Sequence, residues 1–357
     1  MSFSTKLKDF MWRIKKSKSA MIIIIVVILI AVATVGYFVF RGENTVNNSN
    51  NNVNTNSEEK EGKLARIIDG VWVEKGKANY LPVAVMIENL VSSRPQSGLD
   101  KANLVYEVLV EGGITRFLAV YASGDIIDNI GPVRSARTYY LDWVKEIGAV
   151  YAHIGGSPEA FQLIPKYEIL DLNQFYNSQY FWRSKERAAP HNLYTSSELL
   201  ARALRDKNYS KTGSYDSWKY AQNEDPKGKD GQTLTIDFST YNYQVQYVYD
   251  LKSNEFIRKL AGEEHKMENG KTIRTKNIVV QFVKARIADS ENRLSLEVIG
   301  EGDANIYING KEIKGKWKKA NREERTRFYD ESGKEVSFNR GTTWIEVIPS
   351  DRTVIFE

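Results

Sequence analysis

The sequence predicts an α/β N-terminal domain plus a mostly-β C-terminal domain, preceded by one transmembrane helix and a disordered linker. Three observations carry this reading. Residues 20–40 read AMIIIIVVILIAVATVGYFVF, without a charge. Residues 63–224 alternate short apolar runs with stretches of helical spacing. From 232 to 357 the runs are short, punctuated by Asn-Gly and Ser-Gly pairs, with no long helical pattern.

Residues 1–19 are a basic tail with six Lys or Arg and one Asp. The 21 residues that follow would span about 31 Å as a helix, which matches a hydrocarbon core of roughly 30 Å. A cleaved signal peptide is the alternative, with Ala31-Val32-Ala33 as its cleavage site. The apolar run continues to Phe40, longer than a signal h-region, so the sequence predicts a retained signal-anchor. Bases before the span outnumber the single Arg41 after it, which places the N-terminus in the cytoplasm and the body outside, at the cell membrane. Residues 41–62 hold eight asparagines between Asn44 and Asn56 and no apolar period, which reads as a disordered stalk.

In the body, Leu81–Ile87 reads as a buried strand, and Leu104–Val110 and Ile114–Tyr121 as a hairpin around Glu111-Gly112-Gly113. A helix is expected over Ser135–Ile147, a strand over Ala149–Ile154, and a helix capped by Ser157 with Pro158 in its first turn. Thr195-Ser196-Ser197-Glu198 forms a capping box for a helix to about Asp206. Asn223 to Gly231 (NEDPKGKDG) is polar and turn-rich, a domain boundary. Beyond it strands are expected at 233–238, 244–249, 277–283, 293–298, 305–308, 334–338 and 344–348.

Charge and composition exclude several function classes. The chain carries a net +5, and so does its basic tail, so the body is neutral and lacks the basic surface that nucleic acid requires. There is no cysteine, hence no disulfide, thiolate site or lipid-bearing cysteine. Three histidines without a metal-binding motif give no confident metal site.

Four constellations carry candidate chemistry. In Gly131-Pro132-Val133-Arg134-Ser135-Ala136-Arg137, a helix starting at Ser135 would aim free N–H groups and the Arg134 and Arg137 guanidiniums at one anion. In His153-Ile154-Gly155-Gly156-Ser157, a strand runs through two glycines into a helix start, placing backbone donors at a carboxyl edge. Glu107 and Glu111, four residues apart, would share a face, with Arg116 able to reach one of them across the turn. The loop holding Arg183, Arg187, His191 and Asn192 mixes cations, amide and imidazole as a ligand contact does. Each set has a plainer reading, in which the arginines pair with carboxylates and His153 and Ser157 serve packing and capping. In the β region His265, Trp317 and Trp344 read as core more than site.

Arg94-Pro95-Gln96-Ser97-Gly98-Leu99, Tyr106-Glu107, Glu111 to Phe117, Gly131 to Arg137, Gly155 to Glu159, Ala189 to Tyr194 and Gly341 to Ile345 occur in that order. Together these residues resemble the YerB-like family of bacterial envelope proteins over roughly residues 80–350. The resemblance implies two domains and an extracytoplasmic place, and implies no activity. Family members are often lipoproteins; here the helix would replace the lipid. Residues 130–137 and 149–163 are also similar, by analogy only, to the arginine segment and Gly-Gly helix of LytR-CpsA-Psr phosphotransferases. The acidic metal ligands of that family have no residue-by-residue counterpart here.

The expectation is therefore a membrane-anchored protein binding an anionic, phosphate-containing cell-wall or lipid-linked ligand in the α/β domain, with no nucleic-acid partner. The alternative is a phosphotransferase or hydrolase, with Glu107 or Glu111 holding Mg²⁺ and His153 or His191 moving protons.

Overall fold

Among the described residues, the longest apolar runs become the middle strands of one ten-stranded sheet. The computed structural model describes residues 59–357, so the expected tail and span at 1–19 and 20–40, and most of the stalk, lie outside the described residues. No helix among the described residues is long and apolar enough to cross a membrane. The last stalk residues are ordered by backbone pairing, with Glu59–Lys60 opposite Lys63–Ala65.

In chain order, the first half supplies Val83–Glu88 (β1), Leu104–Leu109 (β2), Thr115–Tyr121 (β3), Tyr140–Glu146 (α1), Val150–His153 (β4), Pro158–Lys166 (α2), Leu170–Asn173 (β5) and Ser197–Asp206 (α3). The second half supplies Thr233–Asp237 (β6), Gln244–Asp250 (β7), Glu255–Leu260 (β8), Asn277–Val283 (β9), Gly300–Ile308 (β10), Lys311–Lys319 (β11), Arg327–Asp330 (β12), Thr343–Pro349 (β13) and Val354–Phe356 (β14).

The large sheet runs β12-β11-β10-β9-β13-β2-β3-β1-β4-β5. Half of its strands come from each side of the 225–231 segment, and residues 59–357 fall within one compact unit. The seam is a parallel ladder between β13 and β2, with Glu346 opposite Glu107. Physically, β13 is buried on both faces, and such a strand is stable only between two neighbours under cover on each side. That cover is α1 and α2 on one face, where Met86, Tyr106, Trp143, Ala160 and Ile345 form one cluster. On the other face lie α3 and a smaller sheet of β6, β7, β8 and β14, packing Val85, Phe117, Tyr247, Phe256 and Trp344 together.

The glycine hairpin between β2 and β3 and the Ser157-capped helix α2 form as expected. The helix expected from Ser135 begins only at Tyr140, because residues 134–136 spend their backbone groups on neighbouring strands. Arg134 N donates to Met86 O at 2.9 Å, Ala136 N to Gly155 O at 3.0 Å, and Ile154 N to Arg134 O at 3.1 Å. The cap of α3 is Ser196, which accepts from Leu199 N at 3.2 Å, while the Thr195 hydroxyl donates to Tyr180 O at 2.8 Å.

Candidate functional site

β1, β2, β4, β5, β9 and β13 all run in one direction, so their carboxyl ends share one edge of the sheet. In open α/β sheets that edge is where ligands bind. The 131–137 segment crosses it, pairing with the ends of β1 and β4. Glu88, Glu111, Arg116, Arg134, Arg137 and His153 therefore gather at this edge, although no helix end points at them.

Most of these side chains already have partners. Glu88, almost fully buried, accepts from His191 Nδ1 at 2.8 Å and lies 3.0 Å from Arg134 Nε, close enough for charge attraction without hydrogen-bond alignment. Arg137 makes a two-pronged pair with Glu111, Nε donating at 2.9 Å. Burial works against that pair from both sides, but the pair outweighs it: the Glu111 carboxyl is held below its usual range and the Arg137 guanidinium above its own.

Arg116 is different. It is 5% exposed, and among the described residues it makes one hydrogen bond, from Nη1 to Ser135 O at 2.7 Å, and no ion pair. Burial, then the like charge of Arg137, pull its pKa down. Glu111, the nearest acid in its surroundings, is already occupied by Arg137. The Tyr151 hydroxyl, fully buried and within the field of Arg116 and Arg137, has no hydrogen-bond partner. The Arg116 guanidinium, with one carbonyl contact, and the orphan Tyr151 hydroxyl within its field leave hydrogen-bonding capacity unfilled.

Arg137 also lines a cavity of about 150 Å³ with Ser157 and Glu159, opposite Asp289, Arg293 and Leu294. That volume is well below the roughly 300 Å³ at which small-molecule pockets begin, and both of its arginines already have acid partners, Arg137 with Glu111 and Arg293 with Asp289. Gly155 sits at φ +63°, where a Cβ would meet the Phe175 ring at 3.2 Å, and a Cβ on Gly156 would meet Ala136 at 3.3 Å. These two glycines serve close packing of the 131–137 segment. Ser157 caps α2, its Oγ accepting from Ala160 N at 3.2 Å.

The other expected site residues are not brought together. Glu107 does not share a surface with Glu111. It lies on the face of β2 under the smaller sheet, fully buried, accepting from Asn89, Thr115 and Arg258. Arg116 reaches neither glutamate at ion-pair distance. His153 is a satisfied core residue, Nδ1 2.7 Å from Gly155 O and Nε2 2.8 Å from Asp171 Oδ1. Arg183 donates to Asn192 Oδ1 at 2.8 Å, and Arg187 to the carbonyls of Ser93 and Pro95. His265, Trp317 and Trp344 are buried. Among the described residues no three His, Asp or Glu side chains gather into one cluster.

The Arg94–Ser97 motif bridges the two regions. Arg94 Nη2 donates to Asn242 O at 2.9 Å, the Ser97 hydroxyl to Glu268, and His265 Nε2 stands 2.9 Å from Gln96 Oε1. Residues 69–210 match the family described as "Protein of unknown function (DUF3048) N-terminal domain", and residues 234–345 match its C-terminal domain. The chain belongs to the YerB-like DUF3048 family. It is 30% identical to "Putative lipoprotein YerB" of Bacillus subtilis (strain 168) over 292 residues, 80% of this chain and 87% of that one. The crystal structure of the Bacillus subtilis YerB protein superposes with a TM-score of 0.74 at 30% identity, covering 82% of this chain and all of that one. The two DUF3048 regions are thus two halves of a shared sheet in this chain, joined by the Arg94–Ser97 contacts.

Sequence reading missed Tyr151 and Glu88. Glu88 carried a signal, as an acid ending an apolar strand. Tyr151 carried none, because a strand tyrosine ordinarily reads as core.

Proposed function

We propose that the protein is held at the membrane on its extracytoplasmic side and binds an anionic group at the carboxyl edge of its central sheet. Three features support the location: the basic tail of residues 1–19, the apolar run of residues 20–40, and similarity to a protein named as a lipoprotein. With no cysteine to carry lipid, the helix would be the anchor.

The observation that carries the anion reading is Arg116. An isolated buried charge costs several kcal/mol, and a protein retains one where a ligand neutralises it. Arg116 would hold the anion, the Tyr151 hydroxyl would donate to it, and Arg137 would supply field and orientation from its place beside Glu111. Binding is favoured over turnover because Glu107, Glu111, His153 and His191 are each engaged in pairs that hold the fold together.

The test is thermal unfolding of the full chain in detergent with and without inorganic phosphate and pyrophosphate. An anion at about 100 times its dissociation constant adds roughly 2.7 kcal/mol, a clear rise in midpoint. The rise should vanish in Arg116→Met. An equal rise in wild type and variant would place the anion elsewhere.

A further inference from the structure

We propose that the open face of β9–β12 is a second binding site, separate from the arginine edge, for a neutral oligosaccharide. The smaller sheet covers β13, β2, β3 and, at Ile278, Val280 and Tyr307, parts of β9 and β10, but leaves β11 bare, and Lys314, Lys316 and Lys318 stand exposed there. Over these strands lies an open cleft of about 940 Å³, at the upper end of the range for ligand sites.

Its lining defines the chemistry of the occupant. The three lysines share the lining with Asp303, Asp330 and Glu331, and each pairs with an acid, Lys314 with Glu312, Lys316 with Asp303 and Lys318 with Glu301, so the cleft carries no excess charge and offers nothing to a polyanion or a polycation. Lys316 is bound across the strands to Asp303 at 2.9 Å. Two half-buried rings, Phe282 on β9 and Tyr329 on β12, are the main apolar surfaces, too little for a lipid chain. Phe282 is held in place through its carbonyl, which accepts from Trp317 Nε1 at 2.8 Å. A sugar ring satisfies both parts of this surface, its C–H face packing on an aromatic ring while its hydroxyls hydrogen-bond to carboxylate, ammonium and the Asn305 amide.

The experiment is calorimetric titration of the full chain in detergent with cellotetraose and chitotetraose. Saturable binding of at least one is expected, weakened at least tenfold by Tyr329→Ala and by Asp303→Ala, retained by Tyr329→Phe, and unchanged by Arg116→Met. Circular dichroism of each variant separates lost binding from lost fold. The proposal is overturned if neither tetrasaccharide binds at millimolar concentration. It is equally overturned if binding survives both alanine variants, or if Arg116→Met abolishes it.

Discussion

Glu107 and Arg258 form an ion pair in which both side chains are fully buried, although 151 residues separate them in the chain. Arg258 also donates from Nε to the Tyr247 hydroxyl at 3.1 Å and stands over the Trp344 ring at 4.7 Å. The pair pins the smaller sheet to the central one at the seam where the two halves of the chain meet.

Removing one partner should therefore be far worse than removing both. Glu107→Gln leaves a guanidinium buried without its counter-charge, at a cost of about 3–5 kcal/mol. The double variant Glu107→Gln/Arg258→Met should lose clearly less than the sum of its single variants. Urea denaturation of the four proteins checks this.

His265 should make stability fall in mild acid. Burial, then the charges of Arg258 and Arg94, hold its pKa well below 6.5. Arg258 Nη1, 2.6 Å from Nδ1, must donate, so the ring stays neutral with its proton on Nε2 toward Gln96. The unfolded chain takes up a proton below about pH 6.5 that the folded chain refuses, so stability is full above that pH and declines by up to about 1.4 kcal/mol per unit below it. His265→Gln should flatten that part of the profile, measured by denaturation between pH 7.5 and 5.

Glu346 works in the opposite direction. Burial, then the Glu107 carboxylate beside it, raise its pKa well above 4.5, so the folded chain keeps a proton that the unfolded chain releases. Stability is then full below about pH 4.5 as far as this group is concerned, and erodes as pH rises toward the folded value. Glu346→Gln, which mimics the protonated form, should remove that erosion and raise the unfolding midpoint at pH 8.

Arg116→Met should raise the stability of the ligand-free protein, or leave it unchanged, because replacing a buried, unpaired charge by an apolar side chain of similar length removes a desolvation cost. A gain of about 1 kcal/mol is the expected scale. Arg137→Ala should do the reverse, since it strands Glu111. Denaturation midpoints without added anion distinguish the two.

The strands of the central sheet were legible where apolar runs made them so. LPVAVMI and the alternation around Glu111-Gly112-Gly113 predict β1, β2 and β3 within a few residues. β11 was not, because KEIKGKWKK presents lysines on its open face and has no apolar run to mark a strand. The helix expected at Ser135 failed for a reason local sequence does not carry, namely the capture of its backbone groups by Met86 and Gly155. The arginines of the candidate site were found by residue type. Which of them lacks a carboxylate depends on pairings such as Arg137 with Glu111 and Arg134 with Glu88, which only the folded chain reveals.

The most direct test of the anion site is a crystal structure of the protein grown with selenate, whose anomalous scattering locates the ion without bias. The account predicts a selenate within hydrogen-bond distance of Arg116 and the Tyr151 hydroxyl in wild-type crystals, absent from Arg116→Met. Selenate bound only at other places, with Arg116 unaccompanied, would contradict it.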